Sequence, residues 1–124
     1  MAPAYAVPRM LARAGIKLQD FDFYEIHEAF AAQVLCTLKA WNDPKFCKER
    51  LGLDKVLGTI DRSKMNVKGS SLACGHPFAA TGGRIVATLA KILEQAHQKN
   101  GGSGRGLISI CAAGGQGVTA ILER

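Results

Sequence analysis

The second half of this chain is nearly without acid. From Arg62 to Arg124 there are eight basic residues, with only Glu94 and Glu123 against them, while residues 1–61 hold eight of each sign. A basic half points to an anionic partner: nucleic acid, a phosphorylated ligand or an acidic neighbouring subunit. A solvated face is the plainer alternative. Nucleic acid fits worst, because Lys64, Lys68, Arg84, Lys91, Lys99 and Arg105 are scattered, not clustered. No apolar run approaches the roughly 20 residues that cross a bilayer. The N-terminal MAPAYAVPRM lacks a basic region followed by an apolar core, so no secretory signal is expected. The C-terminal ILER carries no retention, peroxisomal or lipidation signal. Cys36, Cys47, Cys74 and Cys111 lie far apart with no CxxC pair, which excludes a dense disulfide scaffold and implies a reducing, intracellular compartment. No His or Cys pair has metal-ligand spacing, so no metal is expected.

What is present is an alternation of periods over 124 residues, one domain by length. Val7, Met10, Leu11 and Ala14 keep helical spacing, and Gly15 follows as a stop. Pro8 fits that helix only in its first turn. DFDFYEI, 20–26, alternates as a strand. HEAFAAQVLCTLKAW, 27–41, is apolar nearly all round and predicts a helix buried on most sides. Residues 43–63 form a polar loop excursion with a short helix near 44–51. MNVKGSSLACG reads as a strand or extended segment. Residues 77–98 form the longest helix, with Ile85, Leu89, Ile92, Leu93 and Ala96 as its buried stripe. NGGSGRG turns the chain. Residues 107–113 and 117–123 make a hairpin. The order α-β-α-loop-β-α-β-β predicts an α/β fold, a mixed sheet covered by helices. The opening helix has no preceding strand, and much of the implied surface is apolar. Both are expected of part of a larger structure.

Three predicted strand exits carry reactive side chains. In GHPFAATGG, Pro77 suits the first position of a helix, which puts His76 near the N-cap. The positive helix end would then favour a neutral, proton-accepting imidazole. Gly75, Ala79, Ala80, Gly82 and Gly83 would let a ligand or backbone come close. A histidine that merely caps the helix is the alternative. A phosphate cradle is a weaker one, since the stretch lacks the Lys-Ser/Thr of a P-loop and the GxGxxG spacing. Cys111 ends a strand before a glycine-rich turn, either as a packed thiol or, beside a base, as a reactive one. His27 stands at the other exit, with Glu28 expected in the first helical turn. Ligands of α/β sheets bind at such strand ends, so the three together point to an active site.

HEAFAAQ, GHPFAATG and CAAGGQG resemble the three C-terminal motifs of thiolases, in the same order and at similar spacing, and GVTAILE is similar to that family's last strand. The resemblance covers residues 3–42 and 64–124. The histidine of HEAF, where many thiolases have asparagine, and the 43–63 excursion look like the β-subunit branch of fatty-acid β-oxidation trifunctional complexes. The resemblance implies the C-terminal half of a 3-ketoacyl-CoA thiolase, an acyltransferase that cleaves 3-ketoacyl-CoA with coenzyme A or runs the reverse Claisen condensation. Coenzyme A would be a substrate, with no covalently bound cofactor. His76 would be the base that activates a nucleophilic cysteine and would hydrogen-bond the thioester oxygen. Cys111 would be the acid/base at carbon and later at incoming CoA. His27 would hold a water in the first oxyanion hole, the Ala113 N–H would help form the second, and Phe30 would line the substrate pocket. The nucleophile's own motif is not in this chain, and Cys74 does not occupy its position. The resemblance therefore implies a thiolase N-terminal half as partner and inactivity of the chain alone. It also implies a homo-oligomer when complete, in the cytoplasm or, in a eukaryote, the mitochondrial matrix. A non-catalytic assembly module is the competing reading; retention of His27, His76 and Cys111 argues against it. A condensing enzyme of ketide or fatty-acid synthesis would use two histidines and no second cysteine.

Overall fold

A computed structural model describes residues 1–124. Helix α1 runs Ala2–Ala14 and ends at Gly15, whose φ of 67° is the left-handed conformation that glycine adopts freely. Pro8 lies inside this helix, not in its first turn as the sequence reading required. A mid-helix proline leaves the carbonyl four residues back without a donor. Here that carbonyl is Ala4 O, and the indole N–H of buried Trp41 donates to it at 3.3 Å.

Strand β1 (Phe23–Ile26) pairs in parallel with β2 (Arg105–Ala112), in a register from Phe23↔Gly106 to Ile26↔Ser109. β2 pairs antiparallel with β3 (Gln116–Glu123) through a hairpin. The sheet is mixed and covered by helices, as expected, with order β1-β2-β3. Tyr24, Ile26 and Leu107 face α1 and the helix α2 (Ala31–Trp41), where Val7, Leu11, Val34 and Trp41 complete the larger core. On the opposite face Ile108 meets Ile85, Leu89 and Leu93 of the long helix α5 (Thr81–Asn100). A Cβ at Gly106 would collide with the Leu89 side chain, so glycine there lets α5 lie close to the sheet. Helix α3 (Pro44–Leu51) follows α2, capped by Asp43, whose carboxylate accepts from Phe46 N at 2.9 Å.

Three sequence expectations are corrected. The segment 65–75 is not a strand: after one bridge, Tyr24↔Met65, it turns and forms the short helix α4 (Ser71–Cys74). Asn66 ends the pairing. With φ at 51° it leaves the extended conformation, and its side-chain amide replaces the ladder, accepting from Ile26 N at 2.8 Å and donating to Ile26 O at 2.9 Å. Helix α2 begins at Ala31, not His27, and one face of it is open: Phe30, Ala31, Ala32, Leu35 and Cys36 are exposed. A sheet this narrow covers only the Val34–Trp41 face. The longest helix begins at Thr81, not Pro77. Ala79 takes a φ of 62°, which no right-handed helix starting at Pro77 can contain.

Candidate active site

β1 and β2 end at the same edge because they are parallel, and the reactive side chains gather there. His27 directly follows β1, and its backbone N–H donates to Ser109 O at 2.9 Å, extending the ladder by one residue. The ring is buried. Its Nδ1 lies 2.8 Å from Ser71 Oγ, at the start of α4. Its Nε2 makes no hydrogen bond and is not among the sealed, unpartnered polar atoms, so it keeps access to the open side of the site. Burial lowers the His27 pKa; His76 and Arg84 lower it further, and Glu28 opposes them.

His76 follows Gly75, whose positive φ turns the chain out of α4. The two imidazoles meet, with ring centroids 4.4 Å apart and planes inclined by 51°. His76 is exposed and is not an N-cap; Ala80 holds that place in α5. It is anchored instead by Thr81 Oγ1, 2.7 Å from its Nδ1, and that hydroxyl also reaches Pro77 O at 3.3 Å. Phe78, 89% exposed, stands edge-on to His76 at 5.5 Å. The sequence reading passed over Phe78. Its signal was a large apolar residue between a proline and small residues, in a segment too irregular to bury it.

Glu28 is also placed differently from the sequence expectation. It precedes α2, and its carboxylate accepts from Asn66 Nδ2 at 2.9 Å and Leu72 N at 3.2 Å. It ties the 66–72 segment against His27 and does not serve a helix end. Beneath the histidines lies a buried polar layer that the sequence reading missed. Glu25 is 1% exposed, and neither carboxylate oxygen has a hydrogen-bond partner. Burial raises its pKa from an ordinary 4.5 to about 7, with Arg84 opposing and Glu28 adding. The guanidinium of Arg84 donates to Ser71 Oγ at 3.1 Å.

Cys111 lies near the end of β2, half-buried and opposite Gly117. It makes no hydrogen bond with either histidine. Strand alternation places its side chain on the α1 face, where a Cβ on Gly117 would meet Ala2 and Pro3. Glu25 lies on the other face. Phe30 precedes α2 and is 73% exposed. Ala113 opens the turn after β2 and is exposed; Gly114 and Gly115 follow at positive φ. The structure therefore joins His27 to His76, and Cys111, Phe30 and Ala113 lie at or beyond the same strand ends with no side-chain hydrogen bond to either ring. No group of three or more His, Cys, Asp or Glu is placed to hold a metal ion. No helix is long and apolar enough to cross a membrane.

The family model described as thiolase, C-terminal domain, matches residues 1–124. A 3-ketoacyl-CoA thiolase of Alteromonas mediterranea is 50% identical over 123 residues, which is 99% of this chain and 27% of that one. Among solved structures, the peroxisomal 3-ketoacyl-CoA thiolase of Saccharomyces cerevisiae superposes with a TM-score of 0.67 at 37% identity, over 96% of this chain and 28% of that one. It is described as five-layered and built from two core domains of identical topology. An acetyl-CoA acetyltransferase from Syntrophomonas wolfei gives 0.69 at 35% identity, over 96% and 26%. The chain thus spans about a quarter of the length of the curated relatives it matches. With a family model matched from end to end and the histidine pair at the sheet edge, the chain belongs to the thiolase family, as its C-terminal domain.

Proposed function

We propose that this chain supplies the histidine pair and the acid/base cysteine of a 3-ketoacyl-CoA thiolase, acting with a thiolase N-terminal half that brings the nucleophilic cysteine. The observation that carries the reading is the contact between His27 and His76, each with Nδ1 tied to a hydroxyl. With both Nδ1 atoms engaged by hydroxyls, the Nε2 atoms are the ones left for chemistry. They can handle a proton and an oxyanion together.

His76 takes the proton of the nucleophilic thiol. The thiolate attacks the 3-keto carbon, and the bond between the 2- and 3-carbons breaks. The electron pair stays on the departing acetyl-CoA as an enolate. Its oxygen is met by His76 and by a water held on His27. Cys111 gives its S–H proton to the enolate carbon and becomes a thiolate. That thiolate deprotonates incoming CoA, whose sulfur then takes the acyl group from the nucleophile, while the Ala113 N–H helps hold the tetrahedral oxyanion. Phe30 lines the substrate side, supported by its exposure at the site's rim. Substrates are 3-ketoacyl-CoA and CoA, and the setting is fatty-acid β-oxidation. We place the enzyme in the cytoplasm, or in the mitochondrial matrix of a eukaryote, as a homo-oligomer.

Thiolysis of acetoacetyl-CoA and of a longer 3-ketoacyl-CoA tests the reading. The chain combined with a thiolase N-terminal half should be active, and the chain alone inactive at its intact mass. In the combined enzyme, His76→Ala or Cys111→Ala should lower kcat by about 10²- to 10⁴-fold with folding unchanged. Near-normal turnover would remove the assigned roles. Activity of the chain alone would move the acyl group to Cys111 or Cys74.

A further inference from the structure

His27 touches a hydroxyl for which its own ring nitrogen is the one protein acceptor within reach. Ser71 Oγ lies between His27 Nδ1, at 2.8 Å, and an amino nitrogen of Arg84, at 3.1 Å. A guanidinium has donors and no acceptor, so Arg84 occupies a lone pair of Ser71 and cannot receive its proton. No other acceptor bonds the Ser71 hydroxyl, and Ser71 and His27 are both buried. The proton therefore points at His27 Nδ1. A neutral imidazole that accepts at Nδ1 carries its hydrogen on Nε2.

We infer that Ser71 and Arg84 are positioning residues that hold His27 in its Nε2–H form. This rests on the thiolase reading for its use in catalysis. A water on that Nε2–H receives a hydrogen bond and keeps both its own protons, so it can donate to the enolate oxygen. A bare Nε2 would consume one of those protons. Burial, His76 and Arg84 all disfavour the imidazolium at His27, which leaves the two neutral forms to be chosen by Ser71. At His76 the same kind of contact has the opposite polarity. The Thr81 hydroxyl donates to Pro77 O, so its oxygen is left to accept from His76 Nδ1–H, and His76 Nε2 stays bare to take a proton. One tether makes a donor and the other a base.

The ring protons can be read directly. In the chain labelled with ¹⁵N-histidine, long-range ¹H–¹⁵N correlation near neutral pH should show His27 with Nδ1 bare and Nε2 protonated, assigned by loss of its signals in His27→Asn. A hydrogen on Nδ1, or an even mixture, overturns the inference without any further variant. Ser71→Ala should turn His27 into a mixture of both forms and lower kcat for thiolysis by the combined enzyme about tenfold, with KM little changed. An unchanged tautomer in Ser71→Ala also overturns it. Absent thiolysis with Nε2–H intact would sink the thiolase reading alone, whereas normal thiolysis with Nδ1–H would sink this inference alone.

Discussion

Replacing Glu25 with glutamine should be about 3 kcal/mol more favourable to stability at about pH 8 than at about pH 4. The carboxyl is 1% exposed and has no hydrogen-bond partner on either oxygen. Burial raises its pKa from 4.5 to about 7 even though Arg84 pulls the other way. Between those values the folded state binds more proton than the unfolded state, so stability falls as pH rises. The displacement corresponds to about 3 kcal/mol, absent below the ordinary carboxyl pKa and complete above the folded one. Glutamine keeps the shape without the charge, so it adds an offset that does not vary with pH. His27 acts with the opposite sign: its lowered pKa makes the folded state lose stability as pH falls below 6.5. That contribution is present in both proteins and cancels in the difference. Urea unfolding of wild type and Glu25→Gln across this range measures the gap. It should open through the window from pH 4.5 to about 7. A gap that stays constant over the window would refute the assignment of an unpaired, buried carboxyl.

Trp41→Phe should cost about 1–3 kcal/mol in urea unfolding, because it leaves Ala4 O without a donor inside α1. Pro8→Ala restores a backbone N–H to that carbonyl, so it should be less harmful in Trp41→Phe than in wild type; equal effects in both backgrounds would show that the two sites do not communicate. Asn66→Ala removes two hydrogen bonds to Ile26 and one to Glu28, for a loss of about 2 kcal/mol. The same variant should reduce thiolysis by the combined enzyme through displacement of the Ser71–His27 contact, and unchanged kcat would break that link.

Local signals carried much of this molecule in the sequence. Gly15 as a helix stop, the short helix after Asp43, the α5 stripe of Ile85, Leu89, Ile92 and Leu93, and the terminal hairpin all depend on neighbours within a few residues. Periodicity and cap chemistry are written at that range. The three motifs that carry the family resemblance are equally local. The errors share a cause of another kind. Pro8 looked confined to a first turn until Trp41, 33 positions later, was seen to donate to Ala4 O. The 65–75 segment looked extended until Asn66 was seen to bond β1 with its side chain. Pro77 looked like a helix start until Ala79 was seen in the left-handed region.

By itself, then, the sequence determined the α/β class, the glycine stops, the core stripes and the imidazole and thiol side chains on which the proposed chemistry rests: His27, His76 and Cys111. Only the tertiary structure decided which of them meet. It set His27 against His76 and put Cys111 on the sheet face opposite Glu25. It buried Glu25 without a partner, brought Ser71 to one ring nitrogen of His27 and set Arg84 on the far side of that hydroxyl. Side-chain type is a property of one position and can be read there. A proton's place on an imidazole depends on donors and acceptors 44 and 57 positions away in the chain, which only the folded backbone brings within 3.1 Å of one another.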